Sequence, residues 1–142
     1  MPGEWVIDAS LVAAILFDEI HTAAARRFLA AEIEDGAAMI APDLLPIELA
    51  SITAKKGWLD QVSEADGAAA IDAALRLVGR PVAAGDLVQR AYALSATHRF
   101  SAYDAAYLAL ADARGCRMAT LDGRLVRRAD QAGLARLVYG VA

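Results

Sequence analysis

Asp8, Glu48, Asp104 and Asp122 stand where a globular domain ordinarily places apolar or capping residues. Asp8 closes the apolar start Trp5-Val6-Ile7, and Glu48 lies inside Leu44-Leu45-Pro46-Ile47-Glu48-Leu49. Asp104 opens the alanine-rich run that ends at Ala111, and Asp122 follows Met118-Ala119-Thr120-Leu121. An ionised carboxylate in apolar surroundings is costly unless it is paired or binds a metal. Several such exceptions in one short chain imply a shared acidic pocket that takes a cation. Carboxylate oxygens without thiolate or neighbouring imidazole suit Mg²⁺ or Mn²⁺. Such an ion neutralises clustered negative charge and activates water.

Taken singly, each residue has a plainer reading. Asp8 reads as a strand-end turn residue and Asp122-Gly123 as a turn. Asp104 reads as the acidic end of a capping box with Ser101, and Glu48 as the partner of a buried arginine. Their joint placement decides the matter, and that placement follows from the elements.

Hydrophobic patterning predicts strands over Glu4 to Asp8, Ala38 to Ala41, Pro81 to Ala84, Arg117 to Leu121 and Leu134 to Val138. Helices are expected over Ser10 to Phe17, His21 to Glu34, Leu44 to Lys56, Ser63 to Val78, Asp86 to Thr97, Ser101 to Gly115 and Gly123 to Ala132. Ser10 is the expected N-cap of the first, Gly57 the stop of the third, and Ser63 with Asp66 a capping box for the fourth. Strands alternating with helices imply an α/β domain with a mostly parallel sheet covered on both faces. In such open sheets ligands collect at the carboxyl ends of the strands, where Asp8 and Asp122 fall. Asp104 sits in the first turn of its helix, where the dipole and free N–H groups favour an anion. Glu48 projects from the middle of the stripe formed by Leu44, Leu45, Leu49 and Ile52, which a helix does not normally give to a carboxylate.

Composition narrows the class. A chain of 142 residues, 58% apolar and 23% charged, suits one domain with a real core and argues against disorder. The uncharged run Ala9 to Phe17 is too short to span a bilayer, and Glu4 and Asp8 occupy the place of a basic leader segment. The lone Cys116 forms no internal disulfide, fits a reducing cytoplasm and excludes thiolate-held zinc. His21 and His98 are too few and too far apart for a histidine-rich site. A net charge of −4 speaks against nucleic-acid binding through bulk charge, leaving a local basic rim or bound cations as the means.

The ordered segments Val6-Ile7-Asp8-Ala9-Ser10, Pro42-Asp43-Leu44-Leu45-Pro46-Ile47-Glu48, Tyr103-Asp104-Ala105-Ala106-Tyr107-Leu108-Ala109-Leu110-Ala111 and Thr120-Leu121-Asp122-Gly123-Arg124-Leu125 resemble the PIN-domain family. Within it the chain, over essentially its whole length from 1 to 142, looks like a VapC-type ribonuclease toxin. The resemblance implies that Asp8, Glu48, Asp104 and Asp122 take the acidic metal-binding positions, with Ser10 and Thr120 as small polar neighbours. It also implies endonucleolytic hydrolysis of single-stranded or looped RNA, a small antitoxin partner that covers the site, and a homodimer of the toxin. One departure is Ser51, where many members carry asparagine.

Arg124, Arg127 and Arg128 share sides of the helix after Asp122 and are candidate phosphate contacts, although such arginines are most often solvated surface. The helices from Leu44 and from Ser63 carry more apolar residues than surface helices need, so they are the expected partner groove, with Trp58 as anchor. Tyr103 and Tyr107 read as core or interface. The competing classes are a non-catalytic PIN-like module that binds RNA or protein, and a receiver-type signalling domain. A receiver wants adjacent acids after its first strand, and Asp8 is flanked by Ile7 and Ala9. A haloacid-dehalogenase-type phosphatase wants Asp-x-Asp there, and position 10 is Ser10.

Overall fold

Residues 3–142 are described by a computed structural model. Its sheet is wholly parallel, with strands β1 (Glu4–Ile7), β2 (Ala38–Ile40), β3 (Arg117–Thr120) and β4 (Val138–Gly140) in the order β2-β1-β3-β4. Register pairs Val6 with Ile40 on one side and with Met118 on the other, and Ala119 with Tyr139. Successive strand residues face opposite sides of a sheet. Val6 and Ile7 are both fully buried, as are Met118 and Ala119, so both faces of the central β1–β3 pair are covered.

The cover is α1 (Ala9–Leu16), α2 (Thr22–Glu34), α3 (Leu45–Trp58), α4 (Glu64–Leu77), α5 (Val88–His98), α6 (Ala102–Arg114) and α7 (Gly123–Gln131). Helix α6 is the most deeply buried, every residue from Ala105 to Ala111 lying inside. The alanines among them let its backbone approach the sheet closely. It ends at Gly115 in the left-handed region, φ 64°, where a side chain would be strained. Among the described residues no helix is long and apolar enough to cross a membrane.

Several expected boundaries are corrected. Asp8, not Ser10, is the N-cap of α1: its carboxylate accepts the Leu11 amide at 3.0 Å. Gly57 does not stop α3, which runs to Trp58 and turns away at Asp60, φ 56°. Pro81 to Ala84 is not a strand. Val82 makes only an isolated parallel bridge to Pro42, and the chain then winds into a 3-10 turn, Ala84–Asp86. Pro81 has no N–H for a ladder, and Asp43 accepts the Ala84 amide at 2.9 Å, pulling the segment out of line. Leu134 to Leu137 is likewise not extended. After Gly133, φ 76°, a 3-10 turn Ala135–Leu137 buries Leu134 and Leu137, and β4 begins only at Val138.

Candidate metal and nucleic-acid site

The carboxylates arrive from separate parts of the chain at one end of the sheet. Asp8 follows β1, and Thr120 is the last residue of the adjacent β3, so the β1–β3 register sets them side by side. Asp8 is buried. Its Oδ1 accepts the Ser10 hydroxyl at 2.8 Å and the Leu11 amide at 3.0 Å, while its Oδ2 accepts the fully buried Thr120 hydroxyl. Thr120 Oγ1 in turn accepts the Asp122 amide at 3.0 Å. Asp122 caps α7, its Oδ1 accepting the amides of Arg124 at 3.0 Å and Leu125 at 3.2 Å. Its other oxygen accepts no hydrogen bond among the described residues.

Glu48 lies in the first turn of α3, close to Pro46, and is half-buried. The buried face of that helix is Leu45, Leu49 and Thr53, so Glu48 flanks the core stripe rather than standing in its middle. Its Oε1 accepts the hydroxyl of Tyr107 at 2.8 Å. Asp104 is half-buried in the first turn of α6, where the Ser101 hydroxyl caps its amide at 3.1 Å. Neither Glu48 nor Asp104 belongs to an ion pair among the described residues.

Electrostatics tie the group together. Burial pushes the Asp8 carboxyl above the usual carboxylate range, against the pull of Thr120, the Leu11 amide and Ser10, and the Asp122 charge adds to the rise. Burial likewise raises Glu48, with the Tyr107 bond opposing and the charges of Asp8 and Asp104 adding. Asp104 is raised by burial, lowered by its Ser101 bond, raised by Asp122 and lowered by Arg128. Each of these three carboxylates therefore feels at least one other acidic neighbour. No three Asp, Glu, His or Cys side chains among the described residues are arranged to hold an ion between them. The donor chemistry nonetheless suits a hard cation: oxygen only, in mutual repulsion, with guanidinium charge at one edge.

Asp104 and Asp122 share a small cleft with Arg124, Leu125 and Arg128. Arg128 stacks 5.0 Å from the Phe100 ring and donates to the Arg99 carbonyl. Arg127 does not line this cleft. Trp58, 75% exposed, lines a separate cleft between α3 and α4 together with Thr53, Val62 and Ile71. Ser51 is exposed on α3 and makes no side-chain hydrogen bond to the acidic group among the described residues. Tyr107 is the partner that the residue pattern leaves unread. Its three-residue spacing from Asp104 puts both on one side of α6, but nothing local says that its hydroxyl meets Glu48.

The PIN domain family profile matches residues 5–131. A VapC ribonuclease of Mycobacterium bovis and Ribonuclease VapC9 of Mycobacterium tuberculosis are each 34% identical over 120 residues, 84% of this chain and 87% of theirs. The crystal structure of PAE2754 from Pyrobaculum aerophilum superposes on 96% of this chain and 98% of its own, with TM-score 0.68 and 20% identity, a likeness of fold.

Proposed function

The chain belongs to the PIN-domain family, and from that premise we propose that it is a divalent-metal-dependent endoribonuclease, the toxin of a VapBC-type toxin–antitoxin pair acting in the cytoplasm. The observation that carries the reading is a chain of acidic neighbours, each unpaired by a cation-bearing side chain among the described residues: Asp8 bridged to Asp122 by Thr120, Asp104 in one cleft with Asp122, and Glu48 within reach of the charges of Asp8 and Asp104. Relatives named as ribonucleases support it.

Asp8, Glu48, Asp104 and Asp122 would hold Mg²⁺ or Mn²⁺, which when bound supplies an activated water and neutralises charge on the phosphodiester. The chain's own residues prepare that site. Thr120, Ser10 and the Leu11 amide fix Asp8 from different directions. Two amides of α7 fix Asp122 through one oxygen, and the other accepts no hydrogen bond among the described residues. Arg124 and Arg128 line the cleft with Asp104 and Asp122 and would take phosphate oxygens of single-stranded RNA, a reading this shared lining supports. The ring and carbonyl that hold Arg128 reduce what it loses in side-chain freedom on binding.

Two surfaces serve partners in this reading. The α3–α4 cleft with exposed Trp58 is assigned to an apolar segment of the antitoxin. A second apolar surface, with exposed Val88, Tyr92 and Tyr103, adjoins the start of α6 and is assigned to a second copy of the chain. The deciding experiment incubates partner-free protein and its Asp8→Asn variant with RNA in Mg²⁺, Mn²⁺ or EDTA, and maps the cleaved ends. Cleavage by the wild type with metal alone is expected. RNA binding without any cleavage would instead favour a non-catalytic module.

A further inference from the structure

Tyr107 joins the site from within the core. It is 2% exposed, inside the segment of α6 that is buried throughout, so its ring has no room to swing. Its hydroxyl donates to Glu48 Oε1 at 2.8 Å across 59 residues of sequence. No other side-chain hydrogen bond to Glu48 exists among the described residues. A glutamate has several rotatable bonds and much freedom to lose when it is ordered. A tyrosine ring wedged in a core has almost none. The bond therefore transmits the rigidity of α6 to a flexible carboxylate on α3. Asp104 lies three residues earlier on α6, so one helix both supplies an acidic group and aims that of another helix.

Resting on the metal-site reading above, we propose that Tyr107 is a positioning residue: its hydroxyl fixes one Glu48 oxygen, turns the other toward the acidic group, and so sets how tightly the site takes its cation. A hydroxyl serving only to satisfy itself would give the same distance but not the same consequence. Partners behind metal ligands commonly contribute one to two orders of magnitude in metal affinity or activity when removed. The buried ring does not reach the substrate, so RNA affinity is outside its reach.

Calorimetric titration with Mn²⁺ at fixed pH, on wild type, Tyr107→Phe, Glu48→Gln and the double variant, separates these roles. Tyr107→Phe keeps the ring and removes only the donor. Its Mn²⁺ affinity is expected to fall about 10- to 100-fold, with little further loss when Glu48 is already glutamine. In cleavage assays kcat falls, KM for RNA stays, and raising Mn²⁺ restores kcat. Unchanged Mn²⁺ affinity in Tyr107→Phe, or an equal loss in the Glu48→Gln background, overturns the proposal. So does a Tyr107→Phe protein that is unfolded by circular dichroism without metal, since the hydroxyl would then serve the fold. Wild type that takes up no Mn²⁺ overturns the metal-site reading itself, and this inference with it.

Discussion

Thr120, fully buried at the end of β3, donates its hydroxyl to Asp8, just past the end of β1, and accepts the Asp122 amide at 3.0 Å through the same oxygen. One small side chain thus couples two carboxylates that are far apart in sequence. Thr120→Val keeps the shape and removes both bonds. The Asp122 N–H and one Asp8 oxygen then go without their partner, at about 1–3 kcal/mol. Thr120→Ser keeps the hydroxyl and is expected to recover most of that. Melting curves of metal-free protein decide it: a Thr120→Val transition indistinguishable from wild type would deny the coupling any energetic weight.

The raised carboxyls of Asp8, Glu48 and Asp104 set a sign for the pH dependence of the metal-free protein. A carboxyl whose folded pKa lies above its unfolded value holds its proton more tightly when folded. The folded state then binds more protons between those two values, and stability falls as pH rises through that window. The window opens near the ordinary values of 3.8 for Asp and 4.5 for Glu and extends upward. The melting temperature is therefore expected to decline from mildly acid toward neutral pH by more in wild type than in Asp8→Asn. Identical slopes for the two proteins contradict it. Saturating Mn²⁺ should flatten the wild-type decline, because the ion favours the charged forms.

The arginines of α7 are not equivalent. Arg124 and Arg128 line the cleft with Asp104 and Asp122, whereas Arg127 does not. Alanine at Arg124 or Arg128 is expected to weaken RNA binding and to reduce the salt slope by about 0.7 for each phosphate no longer neutralised, the single-strand value. Arg128→Ala should also lower the melting temperature, because the guanidinium stacks on Phe100 and bonds the Arg99 carbonyl. Arg127→Ala should do neither. Binding isotherms at several salt concentrations test this, and an Arg127→Ala effect as large as the other two would reassign the RNA path.

The sequence is most informative where one local rule suffices. Apolar runs followed by Asp8 and Asp122 mark strand ends, and alternation with helices makes the sheet parallel, so the common rim of these residues follows. Ser63 and Ser101 are legible caps because each lies three residues before an acidic residue whose amide it accepts. Elsewhere competing local choices are close in energy. Asp8 and Ser10 are both good caps two positions apart, and the buried position of Asp8 beside Thr120 decides between them. Pro81 to Ala84 reads as a strand by composition, yet the reach of Asp43 to the Ala84 amide is a tertiary fact. The Tyr107–Glu48 bond joins α6 to α3, and no pattern along either helix contains it. The placement of Arg128 depends in the same way on Phe100 and Arg99, which belong to the turn between two other helices.

Glu48 and Asp104 give the sharpest separation of function from fold. As structural residues they would be ion-pair or capping groups, and removing their charge would cost about 3–5 kcal/mol for a broken buried pair or about 1 kcal/mol for a missing cap. Neither has a cationic partner within ion-pair distance among the described residues. The cap of α6 comes from the Ser101 hydroxyl to the Asp104 amide, which Asp104→Asn leaves in place. Glu48→Gln keeps a carbonyl oxygen for the Tyr107 hydroxyl. Both substitutions instead remove charge from a group whose members raise one another's pKa. Relief of that repulsion should leave the metal-free melting temperature unchanged or higher, as is common where active sites trade stability for function. Cleavage should be abolished in both. The stabilisation that Mg²⁺ or Mn²⁺ gives the wild type should shrink, because a ligand raises apparent stability only as far as it prefers the folded state. Melting curves with and without metal read the stability effects in one experiment. A large drop in the metal-free melting temperature of both variants would mark the two carboxylates as parts of the scaffold and remove the main support for the site.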